Sequence, residues 1–297
     1  MALLIQGIFS GFALGAIYSL IALGYSIIFS TMRMGHFAQG EFFAIGAFVG
    51  YQFLVKWEVH ILLAFTAAIV GTSVLMLIVE RITYRPMYTR EGMGLLISTM
   101  GMMYIVQWIA KIIWGNEPKR MPPMFGEENV TYPIRIFNDE VRISRTDLLI
   151  ILICGMLMLF LALFMKYSKA GIAMSAVSMN RKAAELMGVK LTTIISYTYV
   201  LAAAEAAIAG MLMAPRFSVV FTMGTAPGNR AMTAAVMGGF GSMPGAMIGG
   251  IMMGVIETLG AFYISTLYRD LFTFIILITV LFWRPQGVLG RKLVVKV

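Results

Sequence analysis

The chain has 297 residues, of which 60% are apolar and only 12% charged, about half the charged fraction of an average soluble domain. With a mean hydropathy of +0.86, this excludes a water-soluble globular protein. Eight or nine bilayer crossings at about 20 residues each would consume more than half of the chain. What remains leaves no room for a folded catalytic or nucleotide-binding domain outside the membrane, and no Gly-x-x-x-x-Gly-Lys phosphate loop is present. If the protein uses ATP, a partner binds it. The net charge of +9 is carried in short loops between apolar runs, which is the positive-inside pattern of membrane proteins and not a nucleic-acid footprint.

The apolar runs, in chain order, are Leu3 to Phe29, Phe42 to Val55, Ile61 to Val79, Met93 to Ile113, Leu148 to Met165 and Leu191 to Met213. A glycine-rich stretch from Arg230 to Ile256 follows, then Leu259 to Leu267 and Leu271 to Trp283. The first run is too long for a signal-peptide core and no cationic region with a cleavage site precedes it, so it is expected to stay as a helix. The expected fold is an all-α, polytopic membrane protein of eight to nine transmembrane segments with discontinuous, glycine-rich helices, folded as one transmembrane domain over residues 1–297.

Lys and Arg dominate the segment from Glu80 to Gly92, the segment from Lys166 to Lys190 and the tail from Arg284, so all three are expected on the cytoplasmic side. In the loop from Trp114 to Asp147 acids offset the bases, prolines recur, and Tyr132 to Ile143 alternates as a short hairpin would. That loop is expected outside. Six crossings then end outside near Arg216. Reaching an inside tail takes an odd number of further crossings, which a simple count of two remaining spans does not supply.

The expected cause is Met237-Gly-Gly-Phe-Gly-Ser-Met-Pro-Gly245, whose glycines and Pro244 break helical hydrogen bonding midway through an apolar region and leave two shorter helices. Gly35-His-Phe-Ala-Gln-Gly-Glu41 is a comparable interruption. Irregular backbone at membrane depth is tolerated only beside protein or a wet cavity, and paired interruptions point to a substrate pathway. Candidate pathway residues are Phe37, Gln39, Gly40 and Glu41 in the first interruption and Gly239, Gly241 and Ser242 in the second. Glu205, an acid in the run Leu201 to Ala209, costs about 2 to 3 kcal/mol at a helix centre and is expected to face the interior, lining the pathway or pairing with Arg216 or Arg230. Glu257 is expected near an interface. The alternative for the glycines near Gly249, Gly250 and Gly254 is close helix packing.

No catalytic or metal constellation is expected. His36 and His60 are the only histidines, the single Cys154 lies in an apolar run, and the 26 methionines are dispersed as packing filler.

Gly15-Ala-Ile-Tyr-Ser-Leu-Ile-Ala-Leu-Gly-Tyr-Ser-Ile-Ile-Phe29, followed by Phe37-Ala-Gln-Gly-Glu41, resembles the start of the membrane-spanning permeases of bacterial ABC importers for branched-chain amino acids. The likeness continues at Lys169-Ala-Gly-Ile-Ala173, Asn180-Arg-Lys-Ala-Ala-Glu-Leu-Met-Gly188, Ala235-Val-Met-Gly-Gly-Phe-Gly-Ser-Met-Pro-Gly-Ala246 and Arg284-Pro-Gln-Gly-Val-Leu-Gly290. The chain is most similar to the first of the two related permeases of such a system.

The resemblance implies a multi-pass inner-membrane transport subunit with no enzymatic activity of its own. It implies a periplasmic binding protein that delivers substrate, a sister permease, and two cytoplasmic ATPase subunits. It binds no cofactor itself; ATP and Mg belong to those ATPases, and lipid is its remaining contact. Lys182-Ala-Ala-x-x-x-Gly188 has the spacing of the Glu-Ala-Ala loop that meets the ATPase, which makes Asn180, Arg181, Lys182, Ala183, Ala184, Glu185 and Gly188 the expected coupling residues. Three departures stand out: Lys182 replaces the Glu of that loop, the loop's downstream proline is missing, and His36 stands where the family pattern has Asn. An ion-coupled secondary carrier, with Glu205 as a proton site, and an ABC permease for urea or short amides are the alternative functions.

Overall fold

The computed structural model describes residues 2–88, 93–124, 131–136, 139–265 and 269–290. Arg90, Glu127, Glu128 and the tail cations from Arg291 lie outside the described residues. The described chain is helical apart from one hairpin. Its helices are α1 (Ala2–Met32), α2 (Gln39–Tyr51), α3 (Ile61–Val79), α4 (Met93–Trp114), α5 (Arg145–Tyr167), α6 (Lys169–Met179), α7 (Arg181–Leu186), α8 (Leu191–Met213), α9 (Thr225–Gly239), α10 (Met243–Tyr263) and α11 (Arg269–Trp283). Six helical stretches, starting at Leu4, Ile61, Met93, Arg145, Leu191 and Met243, are long and apolar enough to cross a membrane. α2, α9 and α11 are shorter. The expected hairpin forms: β1 (Thr131–Ile136) pairs antiparallel with β2 (Asp139–Ser144), Tyr132 opposite Ile143.

The run from Leu259 is not a separate span. It is the last turn of α10, because nothing between Gly254 and Tyr263 breaks the backbone hydrogen-bond ladder.

α1 is the axis of the fold, buried along most of its length from Ala13 to Ile28. α10 lies antiparallel against it. A Cβ on Gly15 would sit 2.8 Å from Ile251 Cα, one on Gly11 2.7 Å from Val255 Cα, and Ser19 Oγ donates to the Met247 carbonyl at 2.7 Å. Glycines let the two backbones touch, which is how apolar helices gain contact area where lipid offers no hydrophobic drive. Gly249 and Gly254 therefore pack, as the close-packing alternative states, Gly249 against α9 at Ala234 and Gly254 against α1. α8 covers another side of α1 and runs parallel to α2, with Gly46 against Ala207 and Gly50 against Met211.

The segments rich in Lys and Arg gather at one end. There Arg33 Nη2 donates to the Ser178 carbonyl at 2.7 Å, and Arg181 donates through Nε, at 2.9 Å, and Nη2 to the Thr31 carbonyl at the end of α1. Glu80 accepts from Tyr88 at 2.7 Å and from Ser196 at 3.1 Å at the same end. Burial, the neighbouring carboxylate and Tyr199 push the Tyr88 phenol above its ordinary pKa, so it stays a donor at neutral pH. At the opposite end Lys119 and Val219 exchange backbone hydrogen bonds, and Asp147 pairs with Arg216 and accepts from Ser10 at 3.1 Å.

The interruption at 240–242 differs from expectation in its depth. Gly241 lies against Phe29 and Ser30, one turn from the end of α1. The break is a tight connection at the basic end, fixed by Val288 and Leu289 donating to the Met237 and Gly238 carbonyls at 2.9 Å each. Glycine is required there, since Gly239 and Gly241 have φ of 115° and 87°. The two flanking helices inferred from the sequence are real, and they form an antiparallel pair joined at that end.

Candidate functional site

Two helices begin at mid-depth. After α1 ends at Met32, Arg33 takes φ 59° and residues 33–38 turn back into the bundle. α2 then starts beside Gly24, which lies about 12 Å up α1 at 1.5 Å per residue. Gln39, fully buried, donates through Nε2 to the Ala202 carbonyl at 2.8 Å, near the midpoint of α8. From the other end, the chain after α8 descends through residues 214–224 and α9 starts at the same level. Gly40 packs directly on Gly224 and Gly228, and the Tyr25 hydroxyl is 3.5 Å from where a Cβ on Gly228 would lie.

The two N-termini therefore abut. Glu41, in the first turn of α2, lies at this junction. Its Oε1 accepts from Gln107 of α4 at 2.9 Å and from Thr225, the first residue of α9, at 3.2 Å, while Gln107 also donates to Thr225 at 2.9 Å. This three-residue lock ties α2, α4 and α9 together at membrane depth.

Gln39, Gly40 and Glu41 thus lie together, with Phe37 adjacent, its N–H 3.4 Å from Thr99 Oγ1. Gly239, Gly241 and Ser242 are brought to the basic end instead, where Ser242 caps α10 by accepting from Gly245 at 3.3 Å. Glu205 faces the interior, 8% exposed, with neither carboxylate oxygen in a hydrogen bond. The partners suggested for it are engaged elsewhere: Arg216 with Asp147, and Arg230 with Glu257 at 3.1 Å. Glu257 is 1% exposed, and Tyr18 donates to it at 3.3 Å.

Gln107, Thr225, Tyr18 and the Arg230–Glu257 pair escaped the sequence reading. A signal for α9 was present: Gly224, Pro227 and Gly228 precede a turn-by-turn series of polar residues, where hydrophobic counting sees only a weak span.

The segment from Lys166 to Lys190 forms two short helices. Ser168 caps α6 through Gly171 N–H at 2.9 Å, and Asn180 caps α7 through Ala183 N–H at 3.1 Å. α7 ends as expected at Gly188, φ 86°. The Gly188 and Val189 N–H groups bond the Glu185 and Ala184 carbonyls at 2.9 and 3.0 Å, a complete Schellman cap. Arg181 is the anchor; burial first, then the Arg33 charge, lowers its pKa from the ordinary arginine range.

Lys182, Ala183 and Glu185 are outward or partly so, but Ala184 is 5% exposed and packs with Met174, Val177 and Ile194 of its own chain. Its small size serves internal packing. The apolar residues that do point out are Leu186 and Met187, 89% and 85% exposed.

Among the described residues no three His, Cys, Asp or Glu side chains gather as a metal site would require.

Residues 7–281 match the family model described as branched-chain amino acid transport system / permease component. The chain is 35% identical to the high-affinity branched-chain amino acid transport system permease protein LivH of Escherichia coli, covering 99% of this chain and 97% of that protein. It is 34% identical to the corresponding BraD of Pseudomonas aeruginosa, at 99% and 98% coverage, and 25% identical to a probable LivH of Methanocaldococcus jannaschii, at 91% and 88%. In fold it is similar to a chain of PsaBC from Streptococcus pneumoniae in complex with Fab, with TM-score 0.52 and 9% identity over 96% of this chain and 93% of that one. Full-length identity at this level, on a helical bundle with discontinuous helices, settles the family: the chain is a multi-pass membrane protein that belongs to the branched-chain amino acid transport system permeases.

Proposed function

We propose that the chain is the membrane-spanning permease subunit of an ATP-driven ABC importer that moves branched-chain, hydrophobic amino acids across the inner membrane. A periplasmic binding protein delivers the substrate, a sister permease completes the pathway, and two cytoplasmic subunits hydrolyse ATP. The observation that carries this reading is the identity to LivH and BraD across almost the whole chain.

The geometry is consistent with that division of labour. In this reading Phe37, Gln39, Gly40 and Glu41, beside the irregular backbone where α2 and α9 meet, line the route of the substrate across hydrocarbon. Rearranging a joint whose backbones touch is an all-or-none event, since a packed contact has discrete arrangements. The coupling segment, with Asn180, Arg181, Lys182, Ala183, Glu185 and Gly188, is capped at both ends and anchored on the last turn of α1. The residue following that turn, Arg33, starts the re-entrant stretch leading to the joint, so a displacement of α7 has a short covalent route to it. Ala184 supports α7 from within.

Reconstitution tests the reading. Proteoliposomes holding this chain, its sister permease and the ATPases should take up leucine only with ATP and leucine-loaded binding protein. Accumulation of leucine by this chain alone under a proton or sodium gradient would establish a secondary carrier instead. Uptake of urea or short amides without leucine would move the substrate assignment.

A further inference from the structure

The re-entrant stretch 33–38 forms neither helix nor strand, yet it joins the coupling end to the joint of α2 and α9. Both of its ends are tied: Arg33 donates to the Ser178 carbonyl near the end of α6, and Gln39 donates to the Ala202 carbonyl in α8. A segment without regular structure absorbs a displacement of one end in its own φ and ψ angles unless its middle is also held. His36 stands at that middle, three residues from each tie.

His36 is buried among the rings of Tyr84, Tyr199 and Phe42, which are all fully buried. Its ring lies edge-on to Tyr84 and Tyr199, with centroids 5.1 and 5.4 Å away, and those two tyrosines stack on each other at 5.6 Å. These are favourable aromatic separations, and they fix the orientation of the imidazole. Its Nε2 is 3.0 Å from the Tyr84 hydroxyl, which can donate or accept to suit either tautomer. Nδ1 has no hydrogen-bond partner among the described residues, so Tyr84 is the single polar tie of this side chain. The neighbouring contact of the Phe37 N–H with Thr99 is longer, at 3.4 Å, and weaker for that reason.

Tyr84 is itself held. It is the last residue of a π-helical turn, Glu80–Tyr84, that continues α3, a departure from α-helical winding that is frequent at functional positions. Glu80, the first residue of the turn, accepts from Ser196 of α8 and from Tyr88. The turn is therefore clamped on α8, and the re-entrant stretch is clamped on the turn through His36.

Building on the importer reading above, we propose that His36 is a positioning residue for coupled transport: its bond to Tyr84 stiffens the re-entrant stretch, so that movement of the coupling segment reaches Gln39 and Gly40 and movement of the joint reaches α7. The effect runs in both directions because coupling between two sites is reciprocal.

The test uses the assembled transporter in proteoliposomes. His36→Phe keeps a ring but removes the hydrogen bond, Tyr84→Phe removes it from the other side, and His36→Gln keeps a polar atom near the Nε2 position. Both phenylalanine variants should copurify with their partners and hydrolyse ATP at the basal rate of wild type. Stimulation by leucine-loaded binding protein, and the leucine taken up per ATP hydrolysed, should each fall about fivefold or more. The double variant should fall no further than the lower single one, since the same hydrogen bond is lost in all three, and His36→Gln should stay closer to wild type than His36→Phe. An unchanged ratio of leucine to ATP in Tyr84→Phe would overturn the proposal, even where His36→Phe fails to assemble. Assembly, basal hydrolysis and uptake falling in proportion would show that the cluster serves packing alone, and would overturn it equally. Wild type is measured in parallel. If it takes up leucine with ATP while the variants keep its ratio, the importer reading stands and only the role of His36 falls; if it moves no leucine, the importer reading falls and this proposal with it.

Discussion

Replacing Gly40 by alanine adds one methyl group to the joint of α2 and α9. The Cβ would lie 2.9 Å from Gly228 Cα and 2.5 Å from the Gly224 carbonyl oxygen, whereas carbon contacts are comfortable at about 3.5 to 4.0 Å. Both neighbours are backbone, so no rotamer relieves the clash and the two helices must part by about 1 Å. Overpacking of this kind costs about 1 to 3 kcal/mol. Separation also stretches the Glu41–Thr225 and Gln107–Thr225 hydrogen bonds, which stand at 3.2 and 2.9 Å. The matched control is Gly155→Ala in α5, where an added Cβ meets nothing within 4 Å and the gain in helix propensity is about 1 kcal/mol. The two variants should therefore differ by about 2 to 4 kcal/mol in opposite directions. Thermal denaturation of the purified complex in one detergent, with leucine uptake measured alongside, reads both. Gly40→Ala should melt lower and transport poorly, while Gly155→Ala should melt no lower than wild type. Equal melting temperatures for the two would refute direct backbone contact at mid-depth. Gly40→Leu is a poorer probe, since a side chain of that size is expected to prevent assembly altogether.

Removing one member of the buried Arg230–Glu257 pair, by Arg230→Met or Glu257→Gln, should cost about 3 to 5 kcal/mol, and the double variant less than the sum, as a double-mutant cycle of unfolding will show. Gly188→Val places a β-branched residue at φ 86° with no steric neighbour, so its cost, about 1 to 2 kcal/mol, is confined to the cap; substrate-stimulated ATP hydrolysis should drop while membrane insertion is unchanged, and Gly188→Asn should be milder. Arg181→Gln frees α7 from the Thr31 carbonyl, and stimulation should fall although the ATPases still copurify. In a Cys154→Ala background, Lys182→Cys should label from the cytoplasmic side and Lys119→Cys from the outside; external labelling at position 182 would invert the topology.

The sequence alone determined what depends on composition and on neighbours in the chain. Apolar runs require membrane helices because unpaired backbone groups cannot face lipid. Gly188 after a short basic helix requires a left-handed cap, and the proline and glycines at 238–245 require a break. Family membership was legible for the same reason, since its motifs are contiguous blocks.

Tertiary structure decided depth and pairing. Nothing in the order of residues says that the 238–245 break sits at a helix end while Gly224 sits at mid-depth, because depth is set by which neighbours a segment packs against. Nothing local says that Ala184 turns inward and Leu186 outward on a six-residue helix, too short for periodicity to fix a face. The partner of Arg230 was equally hidden: Glu205 and Glu257 are both acids in apolar helices, and only the antiparallel packing of α1 and α10, with α9 against both, brings Glu257 within 3.1 Å of it.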